Sequence, residues 1–147
     1  MKYLKVIIIY CLLIQCTSNS TSLSKNNTEA SIAIEKLRTA PDSLLTKIRI
    51  ENPDREYEVK KGEIIHDSII IRNTGKMPLE LKSIKSKCDC MALNFSSLNV
   101  IPLKDSILVR YKIETSNMDL GNNHRTITVI GNFFPYFKNV SINLKIN

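Results

Sequence analysis

The segment IIIRNTGKMPLELKSIKSKCDC, from Ile69 to Cys90, decides the fold. It opens as an apolar strand, breaks at Asn73-Thr74-Gly75, and resumes after Pro78 with Leu79 and Leu81 alternating with Glu80 and Lys82. Alternation with period two leaves one face of a strand buried and the other wet, as antiparallel sheets require. Asn tolerates the left-handed region and Gly adopts positive φ without penalty, so Asn73-Thr74-Gly75 is expected to turn the chain by that means. The segment ends on two thiols one residue apart, Cys88 and Cys90.

The same pattern continues on both sides. Ile48 and Ile50 alternate with Lys47 and Arg49, and Ile64 to Arg72 is a long apolar strand interrupted by His66-Asp67-Ser68. Ile107, Val109, Tyr111 and Ile113 alternate with polar neighbours, as do Ile127 and Val129. Val140, Ile142, Leu144 and Ile146 give the cleanest alternation. About seven short strands within roughly 100 residues, parted by Gly, Pro and Asn turns, predict an all-β, immunoglobulin-like sandwich of antiparallel strands over residues 46–147. A domain of that size can bury a real core. There is no tryptophan and no distant cysteine pair, so the antibody branch of this architecture is excluded.

The start of the chain sets the compartment. Lys2 and Lys5 precede an apolar run from Val6 to Ile14, broken only by Tyr10 and Cys11. That run is shorter than the roughly 20 residues needed to cross a bilayer, and it has the form of a secretory signal. Leu13-Ile14-Gln15-Cys16 resembles a bacterial lipobox, which makes residues 1–15 the signal peptide and Cys16 the lipidated first residue. Losing Lys2 and Lys5 takes the formal charge from +7 to +5. The remaining basic residues are spread along the domain, which argues against nucleic acid as a partner.

Residues 16–45 read as a tether. Thr17 to Thr28 is rich in Ser, Thr and Asn and cannot bury enough surface to offset its chain entropy. Ala30, Ala33, Ile34 and Leu37 then form a helical stripe between a Thr28 cap and a Pro41 stop.

Several motifs carry the resemblance to a family. They are Lys61-Gly62-Glu63, Ile69 to Gly75, Pro78-Leu79, Cys88-Asp89-Cys90, Pro102, and Gly121 before the Ile127–Val129 strand. Together they resemble a bacterial domain-of-unknown-function family, mostly exported lipoproteins, similar to the major sperm protein, ASH and Hydin group of immunoglobulin-like domains. The resemblance covers about two thirds of the chain and implies a binding platform with no reaction to carry over. This chain departs from the pattern at Asp89, and at Leu103-Lys104-Asp105, where glycine is usual.

Few residues carry chemistry. Neighbouring residues on a strand face opposite sides, so His66, Asp67 and Ser68 do not converge as a triad. His66 and His124 are isolated in the sequence. Asp42-Ser43-Leu44, Asp67-Ser68-Ile69 and Asp105-Ser106-Ile107 match a short O-glycosylation pattern, with Ser43 the candidate in an exposed linker.

Cysteines at i and i+2 of a flat strand hold their Cβ atoms about 6.5–7 Å apart. A disulfide wants about 3.5–4.5 Å, so a bridge needs a kinked backbone. Small apolar filler, a passive local bridge, a redox pair, and a thiolate site for Cu(I) with Met91 all stay open for Cys88 and Cys90.

Phe133-Phe134-Pro135-Tyr136-Phe137 holds four of the seven aromatics left after the signal segment. Phe133, Phe134, Tyr136 and Phe137 are therefore either partner-binding anchors on an end loop or a cap on the core. The reading is a lipid-anchored, noncatalytic binding or assembly module of the envelope, requiring no cofactor and meeting an envelope protein as partner. The alternative is a thiol redox or copper-handling accessory.

Overall fold

The computed structural model describes residues 31–95 and 100–147. The signal segment, Cys16, Thr28 and Ala30 lie outside the described residues. Residues 31–38 are helical; Leu37 is buried and Ala33 and Ile34 half-buried, while Ile32, Glu35, Lys36 and Arg38 face out. A 3-10 turn at Asp42–Leu44 follows Pro41. No helix among the described residues is long and apolar enough to cross a membrane.

Nine strands follow among the described residues. They are β1 (Ile48–Glu51), β2 (Asp54–Val59), β3 (Ile64–Asn73), β4 (Leu79–Ser86), β5 (Met91–Asn94), β6 (Val100–Ile101), β7 (Ser106–Glu114), β8 (Gly121–Gly131) and β9 (Phe137–Ile146). They form two sheets, β1-β3-β7-β5 and β2-β9-β8-β4-β6. The immunoglobulin-like sandwich is as expected, with nine strands among the described residues where about seven were expected. The pairing of β2 with β9 is parallel, which corrects the all-antiparallel expectation.

The alternating positions supply the core. Ile65, Ile69 and Ile71 of β3, Val109 and Ile113 of β7, Ile127 and Val129 of β8, and Val140, Ile142, Leu144 and Ile146 of β9 are all buried. β-branched side chains suit a pleated surface, and burying each contributes about 1.5–3 kcal/mol.

Both motifs of the 69–90 segment stand where the chain changes sheets. Asn73-Thr74-Gly75 follows β3 of one sheet and leads to β4 of the other. Cys88-Asp89-Cys90 lies between β4 and β5 and leads back. At the opposite end of the sandwich, Gly62 takes φ +93°, and its N–H donates to Oγ1 of the buried Thr115 at 3.0 Å.

Candidate functional site

Two asparagines assemble one end of the sandwich. Asn73 ends β3 fully buried. Its Oδ1 accepts hydrogen bonds from Thr46 Oγ1 at 2.9 Å and from the Gly75 N–H at 3.1 Å. Its Nδ2 donates to the carbonyls of Met77, Ile101 and Pro102 at 2.8, 3.1 and 3.2 Å, and its backbone N–H donates to Asp105 O at 2.9 Å. A side-chain amide has both donors and an acceptor, so it can satisfy carbonyls and an N–H at once.

This corrects the expected reason for the motif. Neither Asn73 nor Gly75 is among the positive-φ residues. Gly75 is required by close approach: a Cβ there would collide with Thr46 Oγ1 and the Lys47 backbone nitrogen.

Asn132 ties in the remaining segments. Its Nδ2 donates to Leu44 O and Pro78 O, each at 3.0 Å, and its Oδ1 accepts from the Glu80 N–H at 2.8 Å. Its carbonyl accepts from the Thr46 N–H at 2.8 Å. Residues 42–47, 73–80, 100–105 and 131–137 therefore meet at one end.

The aromatic run divides there. Phe133 is fully buried and belongs to the core cluster, which corrects its candidacy as a binding anchor: it closes the core. Phe134 is 75% exposed and Phe137 43%. Tyr136 is half-buried and meets the Phe134 ring edge-on, with centroids 5.9 Å apart. Tyr136 takes φ +73°, a conformation that costs a non-glycine residue about 1–3 kcal/mol. Leu44 and Leu103 are also about half exposed at this end. Lys104 takes φ +65° in the turn after Pro102.

A second polar cluster joins the two sheets and was missed in the sequence. Arg55 and Tyr57 of β2 point inward toward Asp67 and Tyr111, which pair directly across β3 and β7. Tyr57 Oη donates a short hydrogen bond to Asp67 Oδ2 and lies 2.7 Å from Tyr111 Oη, which donates to Asp67 Oδ2 at 3.2 Å. Arg55 Nη1 is 3.7 Å from the same carboxylate, and Nη2 donates to Ser68 O at 2.8 Å.

Burial tends to raise the Asp67 pKa, but hydrogen bonds from Tyr57 and the Ser68 N–H and the Arg55 charge outweigh it, so the carboxyl stays below its usual range. Burial is the leading cause that pushes both phenols up. The network satisfies the carboxylate and both phenols it desolvates, although the buried Arg55 Nε has no hydrogen-bond partner, and it acts as a clasp between the sheets. Its legible sign was the alternation of Arg55, Tyr57 and Val59 with Glu56 and Glu58.

Cys88 and Cys90 are joined as a disulfide with Cα atoms 5.1 Å apart. They sit in a turn ahead of β5, not on a flat strand, which supplies the needed kink. The Cys90 carbonyl accepts from the Glu114 N–H at 2.9 Å, fastening the turn to β7. Met91 is buried in the core cluster, so it is packed away as a core residue, which corrects its candidacy as a metal ligand. Among the described residues no three His, Cys, Asp or Glu side chains gather as a metal site.

The histidines stay apart. His66 is exposed on β3, whereas His124 Nδ1 lies 2.9 Å from Asn143 Oδ1 on β8 and β9. His124 lines a shallow polar depression of about 650 Å³ with Glu56, Glu58, Asn143 and Lys145. Ser43 is exposed on the 3-10 turn and Ser68 is half-buried in β3.

Solved structures share this architecture. A protein of unknown function from Porphyromonas gingivalis W83 superposes with a TM-score of 0.62 at 17% identity, over 74% of this chain and 50% of that one. The chain thus spans about half the length of that relative. The ASH / PapD-like domain 7 of human CEP192 gives 0.55 at 12% identity, over 74% and 89% of the two chains. The YadV chaperone gives 0.50 at 12% identity, over 68% and 52%. At such identities the likeness is one of fold. Among curated proteins none matches in sequence. Residues 51–146 match the family described as protein of unknown function (DUF1573), and the chain belongs to that family.

Proposed function

We propose that the protein is a noncatalytic binding or assembly module, held at the bacterial envelope by lipid on Cys16 and meeting an envelope component through its Phe134 end. The signal-like run before Cys16 and the binding-type sandwich support this reading. One observation carries it: Phe133 closes the core, yet Phe134 on the same loop and Phe137 at the start of β9 remain exposed. Exposed aromatics that packing does not use are what interfaces favour. The bilayer and the proteins within it are the components in reach of such an anchor.

The test uses the chain from residue 16 onward, with Cys16→Ser to remove the lipid; every described element lies beyond residue 30. It should sediment with isolated bacterial envelopes. Phe134→Ser with Phe137→Ser should lose that binding at an unchanged melting temperature. Binding retained by this variant would reject the reading. In the lipidated protein, Cys16→Ala should abolish fatty-acid labelling and membrane fractionation.

The second reading, a thiol redox accessory, is supported by the half-buried bridge between Cys88 and Cys90. Copper handling would require its prior reduction, because Cu(I) prefers thiolate ligands.

A further inference from the structure

We infer that the occupant of the Phe134 end is an anionic bilayer surface, so that the domain lies with this end against the membrane. The inference rests on the binding reading above and names the partner.

Three observations converge. First, five large apolar residues are exposed on the joined segments: Leu44, Val100, Leu103, Phe134 and Phe137. They form the rim of one end, where an aromatic and aliphatic tip can enter the headgroup region.

Second, the same segments carry cations. Lys47, Lys76 and Lys104 are exposed beside the apolar rim, and Lys138 follows Phe137. The acids there are Asp42, Glu80 and Asp105; Glu80 pairs with Lys82 at 2.5 Å, and an Asp105 oxygen accepts from the Ser106 N–H at 2.7 Å. With Lys82 counted beside its partner Glu80, five lysines against three acids leave this end positive. At the far end, Lys60, Lys61 and Lys87 stand with Glu63, Asp89, Glu114 and Asp119, and Lys112 pairs with Glu114 at 2.6 Å, which leaves that end without a positive excess. Anionic headgroups attract basic residues set beside a bilayer.

Third, the chain reaches the sandwich at this end, through Leu44, Leu45 and Thr46. Residues 17–30 could span up to about 50 Å if extended. A lipid on Cys16 would bring the domain to the membrane without choosing its orientation. The apolar and basic surface makes that choice.

The experiment uses the Cys16→Ser chain from residue 16 onward with two kinds of vesicle, phosphatidylcholine alone and phosphatidylcholine with phosphatidylglycerol. Binding is expected to the anionic vesicles, weakening as salt rises. Phe134→Ser with Leu103→Ser should reduce it at least tenfold. Converting Lys47, Lys76 and Lys104 to Gln should reduce it about fivefold per lysine, from the contribution of one cation near an anionic surface. Circular dichroism melting confirms that both variants fold. No binding to anionic vesicles, or binding unchanged in both variants, would overturn the inference. Loop-dependent binding to isolated envelopes without binding to pure lipid would assign the end to a protein partner, leaving the binding reading standing and this inference refuted.

Discussion

Thr46 pairs with Phe133 in an isolated parallel bridge, which sets the last residues of the N-terminal segment against the aromatic loop. The Thr46 hydroxyl also donates to the Asn73 side chain, and its N–H donates to the Asn132 carbonyl. One residue thus couples the segment leading from Cys16, the sheet-switch turn and the exposed aromatics. The surface proposed to bind is therefore held by buried bonds, which preorganises it and lowers the ordering cost of contact.

Asn73→Ala should be among the costliest single changes. It strips partners from the buried Ile101 carbonyl and Thr46 hydroxyl and from the part-buried Met77 and Pro102 carbonyls, each unsatisfied buried group costing about 1–3 kcal/mol, so a loss of about 3 kcal/mol is expected in urea unfolding. Gly75→Ala should also destabilise. Thr46→Ala should not rescue it, because the Lys47 backbone nitrogen still blocks the new methyl.

The two adjacent phenylalanines should separate stability from binding. Phe133→Ala should cost about 3–5 kcal/mol, as large-to-small core substitutions do. Phe134→Ser should change stability by less than about 0.5 kcal/mol, as is usual at exposed sites. Thermal melts of the two variants check this directly.

The inter-sheet clasp predicts a pH profile. Asp67 has a depressed pKa when folded, so its contribution is complete above the unfolded carboxyl value near 4 and is lost as pH falls through the lower folded value. Tyr57 and Tyr111 are raised, so theirs is complete below about pH 10 and is lost as pH rises through the folded values. Urea midpoints against pH should fall at both extremes. Asp67→Asn should flatten the acid limb, and Tyr57→Phe should soften the alkaline one.

Cys88→Ser with Cys90→Ser should leave the sandwich folded. Closing so short a loop contributes about 1–2 kcal/mol by the chain-entropy relation, and the Glu114 N–H still holds the Cys90 carbonyl. The double variant should melt only slightly lower and still bind envelopes. Loss of envelope binding in a folded variant would favour the redox accessory.

Much of the fold was legible because six strands bury aliphatic residues at every second position. β2 was hidden because its inward positions are Arg55, Tyr57 and Val59 between charged neighbours, and the first two serve a polar clasp. β5 and β6 have four and two residues, too few to show a period. Asn73-Thr74-Gly75 satisfies ordinary turn rules equally well, so the sequence does not reveal that Asn73 is a buried hub. Nothing in the run Phe133-Phe134 tells which ring goes inside; the bonds of Asn132 and the bridge to Thr46 decide that in space.

In the proposed orientation the Phe134 end faces the envelope surface. It is tested by placing a photo-crosslinking phenylalanine analogue at position 134, or at position 122 at the other end of β8, in the full chain expressed in living cells. Position 134 should crosslink to membrane components and position 122 should not. Crosslinking from position 122 alone, or from neither position, would contradict the claim.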